Sequence, residues 1–257
     1  MTEGRGELIY LRSMPNSYFQ FKQFRIEQGR SGMKVTTDGC LFGGWVANEV
    51  QRADEPTRIL DIGAGTGLLS LMLAQVTKES QIDAIEINKN AYQEATQNFK
   101  DSKWSDRLFC YQTSIQDFQA DQKYNLIICN PPFFKDSQEG DNVNKNQALH
   151  SSSLDATDLL NHIIRLLDSN GCCYLLYPER EMKAFKRMAL TKGLFPARQM
   201  IVRNQKDHPV FRVMTHFSLL EKKETTSELN IRNADRKYTK ESWELLKDYY
   251  LAYNSPI

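Results

Sequence analysis

Asp61-Ile62-Gly63-Ala64-Gly65-Thr66-Gly67 is the stretch on which the reading of this chain turns. It closes the strand-like run 58–62 and opens directly onto Leu68-Leu69-Ser70-Leu71, the start of a helical pattern. Three glycines at a strand-to-helix turn allow a tight bend and let a ligand approach the backbone without meeting side chains. Outward from this turn the pattern alternates. Strands are expected at 58–62, 81–86, 107–111, 124–130 and 172–177, with helices from Leu68, from Asn88, over 155–167 and from Glu179. Such alternation predicts an α/β fold whose sheet is mostly parallel, with helices on both faces and ligands at the carboxyl ends of the strands. The alternating runs at 198–203 and 210–219 predict an antiparallel hairpin at the sheet edge.

The chain ends are read as additions to this core. Tyr18-Phe19-Gln20-Phe21-Lys22-Gln23-Phe24-Arg25-Ile26 alternates apolar and polar residues, and Gly29 to Gly32 is expected to supply the turn of a small hairpin. Asp38 is expected to cap a helix running to about Gln51, with Leu41, Phe42, Trp45, Val46 and Val50 on its apolar face. The polar stretch 135–147 reads as a loop, and 221–228 as a linker. Leu229 to Ile231 and a helical stretch over 240–253 supply apolar anchors, so the tail is expected to dock. The expected organisation is one domain over 1–257: an N-terminal hairpin extension (1–37), a core (38–220) and a docked tail (221–257).

Composition narrows the class. The 257 residues are 40% hydrophobic, enough for one large core. No stretch approaches the ~20 apolar residues that span a bilayer, so a cytoplasmic protein without membrane contact is expected. Cys40, Cys110, Cys129, Cys172 and Cys173 lack the spacing of zinc sites or disulfide frameworks and read as buried reduced thiols. His150, His162, His208 and His216 show no short metal-ligand spacing, and no metal is expected. A net charge of +1 argues against indiscriminate coating of nucleic acid. Residues 178–212, with nine basic residues against three acidic, form the one marked charge asymmetry.

The glycine spacing discriminates among cofactors. Dinucleotide loops show G-x-G-x-x-G, whereas here the third glycine comes one position earlier and Asp61 stands two residues before the first. That variant is typical of S-adenosylmethionine binding. Gly63, Gly65 and Gly67 would let the loop amides face the cofactor's carboxylate, and Asp61 would help hold its amino acid end. Glu86, closing the next strand, is placed to accept both ribose hydroxyls. Ser114-Ile115-Gln116-Asp117 follows the third strand, where Ser114 and the apolar Ile115 are candidates to cradle adenine; Asp117 is as readily a helix cap as a ligand.

A second turn complements the first. Asn130-Pro131-Pro132-Phe133 follows the apolar run 124–129. The Asn130 side-chain oxygen and the Pro131 carbonyl could accept the two N–H bonds of a planar amino group and aim its nitrogen at an activated methyl. Asn130 would thus also border the cofactor. Pro131 and Pro132 stiffen the turn, Phe133 could stack on a base, and Phe134 could wall the pocket. The chemistry expected is methyl transfer onto an exocyclic or amide nitrogen.

With both turns in hand, the sequence resembles the class I methyltransferases, and more narrowly the bacterial tRNA(Val) adenine-37 N6-methyltransferase family. The patches that carry the narrower resemblance are Phe21-Lys22-Gln23-Phe24, Met33-Lys34-Val35 with Thr37-Asp38-Gly39, and Tyr238-Thr239 with Lys247-Asp248-Tyr249-Tyr250-Leu251. The resemblance implies a Rossmann-like fold with a seven-stranded sheet ending in an antiparallel strand. It also implies Lys34, Thr37 and Asp38 near the cofactor's entrance, and the anticodon loop of a tRNA, with no DNA, as partner. The family pattern has a glycine before Thr37; here the residue is Thr36. Arg198 and Arg203, in the basic stretch, are candidates for RNA contact, with Lys22, Arg25, Arg30 and Lys34. Three other readings stay open: a ribosomal RNA guanine-N2 methyltransferase, a protein glutamine methyltransferase, and a non-catalytic RNA-binding protein of the same fold.

Overall fold

The computed structural model describes residues 16–131 and 155–251. The expected loop at 135–147, together with Pro132, Phe133 and Phe134, lies outside the described residues. The core sheet follows the alternation read from the sequence. Strands β3 (Arg58–Ile62), β4 (Gln81–Ile85), β5 (Leu108–Tyr111), β6 (Tyr124–Cys129) and β7 (Leu167–Tyr177) run parallel to one another. Apart from the buried carboxylates Asp61 and Asp83 and the exposed edge residue Phe109, their interior positions are mostly apolar and buried because helices cover both faces. Strand β8 (Phe195–Arg203) and strand β9 (Val210–Ser218) form the expected hairpin, and β9 runs antiparallel to both β7 and β8.

Two features of the sheet differ from expectation. An eighth strand, β10 (Thr225–Asn230), pairs parallel with β8, giving the order β10-β8-β9-β7-β6-β3-β4-β5. The stretch read as a linker is therefore in part an edge strand. Thr225, Thr226, Ser227 and Glu228 are exposed, with only Leu229 buried, so polar composition concealed a strand that needs little apolar surface. The antiparallel strand β9 consequently lies inside the sheet, with β8 and β10 beyond it.

Helix α1 (Thr37–Val50), α2 (Leu68–Val76), α3 (Lys89–Lys100), α4 (Ala156–Leu166), α5 (Glu179–Thr191) and α6 (Lys240–Leu246) complete the architecture. One apolar core gathers α1, α2, the N-terminal segment and the tail on one side; the other lies with α4 and α5. Thr36, not Asp38, caps α1: its Oγ1 accepts from Gly39 N at 3.3 Å, while the Asp38 carboxylate is taken by Arg212 of β9 at 2.9 Å. The absent family glycine is thereby accounted for, since Thr36 sits in extended backbone and supplies a hydroxyl cap.

The terminal hairpin, β1 (Tyr18–Gln20) and β2 (Arg25–Glu27), turns at Phe21 to Phe24 and not at Gly29 to Gly32. Burying Phe21 and Phe24, stacked at 4.6 Å, lets polar Lys22 and Gln23 form the bend. The tail packs against this same bend: Lys22 N donates to Tyr249 O at 2.8 Å, and the Phe21 and Tyr250 rings lie 6.0 Å apart. Helix α6 meets α1 at Gly44, where an added Cβ would stand 2.1 Å from the Leu245 carbonyl oxygen. The five cysteines are free, and burial pushes the Cys40 thiol up to about 12. Trp45 and Trp104 are core residues, and Trp243 is half-buried against Tyr238.

Candidate active site

Strand register creates the site. Ile62 stands opposite both Ile85 and Cys129 in neighbouring parallel strands, so Gly63, Glu86 and Asn130 leave the sheet in one row. The glycine loop is central, and neighbouring strands ~4.8 Å apart put Asn130 and Glu86 roughly 10 Å from each other. After β5 the chain returns to the other side of β3, which makes this row the switch point of the sheet.

The three glycines serve different ends. All have positive φ: 70°, 58° and 83° for Gly63, Gly65 and Gly67. A Cβ at Gly63 or Gly65 would meet nothing within 4 Å, so each leaves room in the cleft, whereas one at Gly67 would lie 2.4 Å from the Phe99 ring of α3. Gly67 thus serves packing. The loop amides do not face the cleft as expected: Gly63 and Ala64 N–H donate to Ile85 O, Gly67 N–H to Ala64 O, and Gly65 N–H to Glu86 Oε2 at 2.9 Å. The loop's second turn is held by these bonds, so close approach comes from missing side chains.

Glu86 is nearly buried, and its Oε1 accepts from Asn88 N at 2.7 Å, which fixes the carboxylate at the loop's edge with lone pairs to spare. Asp61 lies beneath the loop, fully buried. One oxygen accepts from Ser70 Oγ (2.7 Å) and Ser70 N (3.1 Å) at the start of α2, and the other has no partner among the described residues. Burial pushes its carboxyl up to about 7 despite the two Ser70 bonds. Lys34 points its ammonium at the Gln28 carbonyl.

Two clefts meet at Asn130. The inner one is lined by Met33 to Thr36, Gly39, the glycine loop and Asn130. The outer one is lined by Thr37, Asp38, Asn130, Pro131, Asn204, Phe211 and Arg212, among others. Lys34 thus lies at the inner cleft and Thr37 and Asp38 at the outer. Asn130 Oδ1 is buried and has no hydrogen-bond partner among the described residues. An unpaired buried carbonyl oxygen costs about 1–3 kcal/mol, which fits a group kept for a ligand. The inner cleft, of about 50 Å³, takes only part of a nucleoside-bearing methyl donor. Open space before two positive-φ glycines, a fixed acid one strand away and this orphan oxygen fit such a donor lying along the glycine loop, with an amino group in the outer cleft.

Other expected residues are not brought here. Asp61, Glu86, Ile87, Ser114 and Ile115 all stand outside the lining of the two clefts; Glu86 and Ile87 remain at the edge of the glycine loop, whereas Ile115 is buried beside Phe118 in the core and Ser114 Oγ donates to Asp117 Oδ2 at 2.7 Å in a local turn. Arg198 lies on β8 five residues before its end at Arg203, roughly 16 Å away at ~3.3 Å per residue, and pairs with Glu49 at 2.5 Å. Arg203 does reach the site's end of the sheet, where Nη1 donates to His208 O. Sequence reading had Arg212 only as the end of the basic stretch, and missed Phe211 and Arg232 in the outer cleft and Ile87, which is 65% exposed directly after Glu86. An apolar residue with no strand or helix to join was the available signal for Ile87; the others carried none.

Among the described residues no helix is long and apolar enough to cross a membrane. The Methyltransferase small domain family matches residues 46–156. A solved structure of a predicted O-methyltransferase from Agrobacterium tumefaciens superposes with a TM-score of 0.62 over 82% of this chain and 96% of that one, at 14% identity, a likeness of fold alone. Two curated relatives carry the name tRNA1(Val) (adenine(37)-N6)-methyltransferase. The Christiangramia forsetii protein is 38% identical over 93% of this chain and 99% of its own, and the Cytophaga hutchinsonii protein is 40% identical over the same shares. Identity at that level over nearly the full length of both sequences means that the chain belongs to the tRNA1(Val) (adenine(37)-N6)-methyltransferase family.

Proposed function

We propose that the protein transfers the methyl group of S-adenosylmethionine to the exocyclic N6 of adenosine 37 in tRNA1(Val), beside the anticodon. The observation that carries this reading is Asn130, whose buried oxygen lacks a partner among the described residues and which lines both clefts at once. Bound along the glycine loop, with part of it in the inner cleft, the cofactor would supply a methyl on a positively charged sulfur, which leaves as a neutral thioether. Glu86 accepts the ribose hydroxyls, Gly63 and Gly65 leave room for the amino acid portion, and Ile87 offers an apolar face to the purine. Lys34, Thr37 and Asp38 border the entrance.

The adenine amino group is a poor nucleophile because its lone pair is delocalised into the ring. Asn130 Oδ1 would accept one N6–H and the Pro131 carbonyl the other, drawing the nitrogen toward a tetrahedral geometry and orienting it for attack; the C–N bond forms as the C–S bond breaks, the positive charge passes to N6, and N6 then releases one proton to water. Pro132, Phe133 and Phe134 lie outside the described residues; their sequence supports stacking on the extruded base. The N-terminal hairpin and the tail, packed on the core and on each other, support a single domain, and a tRNA substrate supports a place of action in the cytoplasm.

The test is methyl transfer from labelled S-adenosylmethionine to unmodified tRNA, with nucleoside mass spectrometry and ribosomal RNA in parallel. N6-methyladenosine at position 37 of tRNA1(Val) is expected. N2-methylguanosine in ribosomal RNA, or transfer only to protein glutamine, would overturn the substrate.

A further inference from the structure

Beyond β9 the sheet carries a feature that the chemistry at Asn130 does not use. The turn 204–209 joins β8 to β9, and the loop 231–238 follows β10. Both leave the sheet at the site's end, because Asn230 stands opposite Arg203 in parallel register and Val210 opposite Arg203 in antiparallel register. The two segments are knitted together: Ile231 N–H donates to Arg203 O, Arg232 N–H to Asn204 O, and Gln205 Nε2 to Asn233 O, all at 2.9 Å. The Arg232 guanidinium donates to Arg236 O at 2.7 Å and lies over the Tyr238 ring at 4.5 Å.

The charge on this paired structure is one-sided. Residues 203–209 and 231–238 hold five Arg and Lys against Asp207 and Asp235, and Lys206, Arg236 and Lys237 are exposed. Asp207 (φ 65°) and Arg236 (φ 62°) are the only described non-glycine residues in the left-handed region, one in each segment. The platform is continuous with the site, since Asn204, Ile231 and Arg232 belong both to it and to the wall of the outer cleft that reaches Asn130.

We propose that these two segments form a phosphate-binding platform for the RNA strand flanking the methylated nucleotide. The inference rests on the tRNA reading above and adds where the strand lies. A base drawn into the outer cleft leaves its neighbouring phosphates at the cleft mouth, against Lys206, Arg232, Arg236 and Lys237. Stiff, cross-bonded loops bearing dispersed cations position a backbone without reading its sequence. This narrows the RNA surface: the basic stretch 178–212 is divided by the fold, and of its residues Asn204, Phe211 and Arg212 line the cleft.

The test titrates fluorescent unmodified tRNA onto the full chain at several salt concentrations. Three proteins are compared: wild type, Lys206→Ala/Arg236→Asn/Lys237→Ala, and a control that loses as much charge at the opposite end of the same strands, Lys192→Ala/Lys222→Ala/Lys223→Ala. Asn tolerates the left-handed backbone at 236. The platform variant should bind tRNA at least about tenfold more weakly. Its salt dependence should be shallower by about 2 in log–log slope, at ~0.7 per lost single-strand phosphate contact. Its tRNA KM should rise while kcat, cofactor affinity and melting temperature stay near wild type, and the control should bind as wild type. Lys206→Glu alone, at an exposed turn position, should move binding in the same direction. A platform variant with wild-type affinity and slope overturns the proposal while leaving the activity standing. A wild-type protein that transfers no methyl to tRNA overturns both.

Discussion

Replacing Asn130 with Ala separates a residue kept for chemistry from one kept for stability. The orphan Oδ1 is buried without a partner among the described residues, and removing it relieves a desolvation cost of about 1–3 kcal/mol. Against this stands the loss of the amide's packing, also of order 1 kcal/mol for so small a group. The two nearly cancel. Folding stability should therefore change by less than about 1 kcal/mol in either direction, which for a chain of this size is ~2–4 °C in melting temperature. Turnover has no such compensation. Losing one aligned acceptor at a developing charge lowers kcat by about 10²–10³, with cofactor affinity within a few-fold because the inner cleft is otherwise untouched. The assays are thermal unfolding, calorimetric cofactor titration and single-turnover methyl transfer on the same preparations. An Asn130→Ala protein that keeps turnover within about tenfold of wild type, or that loses more than ~2 kcal/mol of stability, would refute the reasoning.

Gly44→Ala should destabilise by about 1–3 kcal/mol or more, because the new Cβ meets the Leu245 backbone oxygen and no side chain can yield; urea unfolding measures it. Gly65→Ala faces open space and should instead lose cofactor affinity, at a backbone cost of about 1–2 kcal/mol from its positive φ. Asp61, raised from 3.8 to about 7 by burial, holds its proton more tightly folded than unfolded. Its contribution to cofactor-free stability is full at acid pH and falls by ~1.4 kcal/mol per pH unit until pH reaches about 7. That slope should be missing in Asp61→Asn, as pH-dependent unfolding would reveal. Glu86→Ala should weaken cofactor binding and also loosen the loop, since Gly65 and Asn88 lose their acceptor; calorimetry on a variant that binds as wild type would remove Glu86 from the site.

Elements whose signal is local were legible in the sequence. The runs 58–62 and 124–129 are largely apolar because both faces of a parallel strand are covered, and Asn88 and Asp155 announce α3 and α4 as side-chain caps. Where two local signals competed, the outcome depended on a distant partner: Thr36 and Asp38 can each cap a helix, and Arg212, 174 residues away, takes Asp38. The edge strand β10 was hidden because exposure permits polar composition. Arg198 was misplaced because a charge count does not tell which end of a strand a residue occupies.

The sequence by itself determined the order of elements, the glycine turn, the acid and the Asn-Pro-Pro turn, because backbone demands and apolar periodicity act within a few residues. Tertiary structure decided what each of these faces. Register set Gly63, Glu86 and Asn130 in one row, left one Asn130 oxygen without a partner among the described residues, and assigned Gly67 to packing against Phe99 while Gly65 kept the cleft open. It also joined the turn 204–209 to the loop 231–238, because pairing between β8 and β10 is a non-local bond that no window of sequence contains.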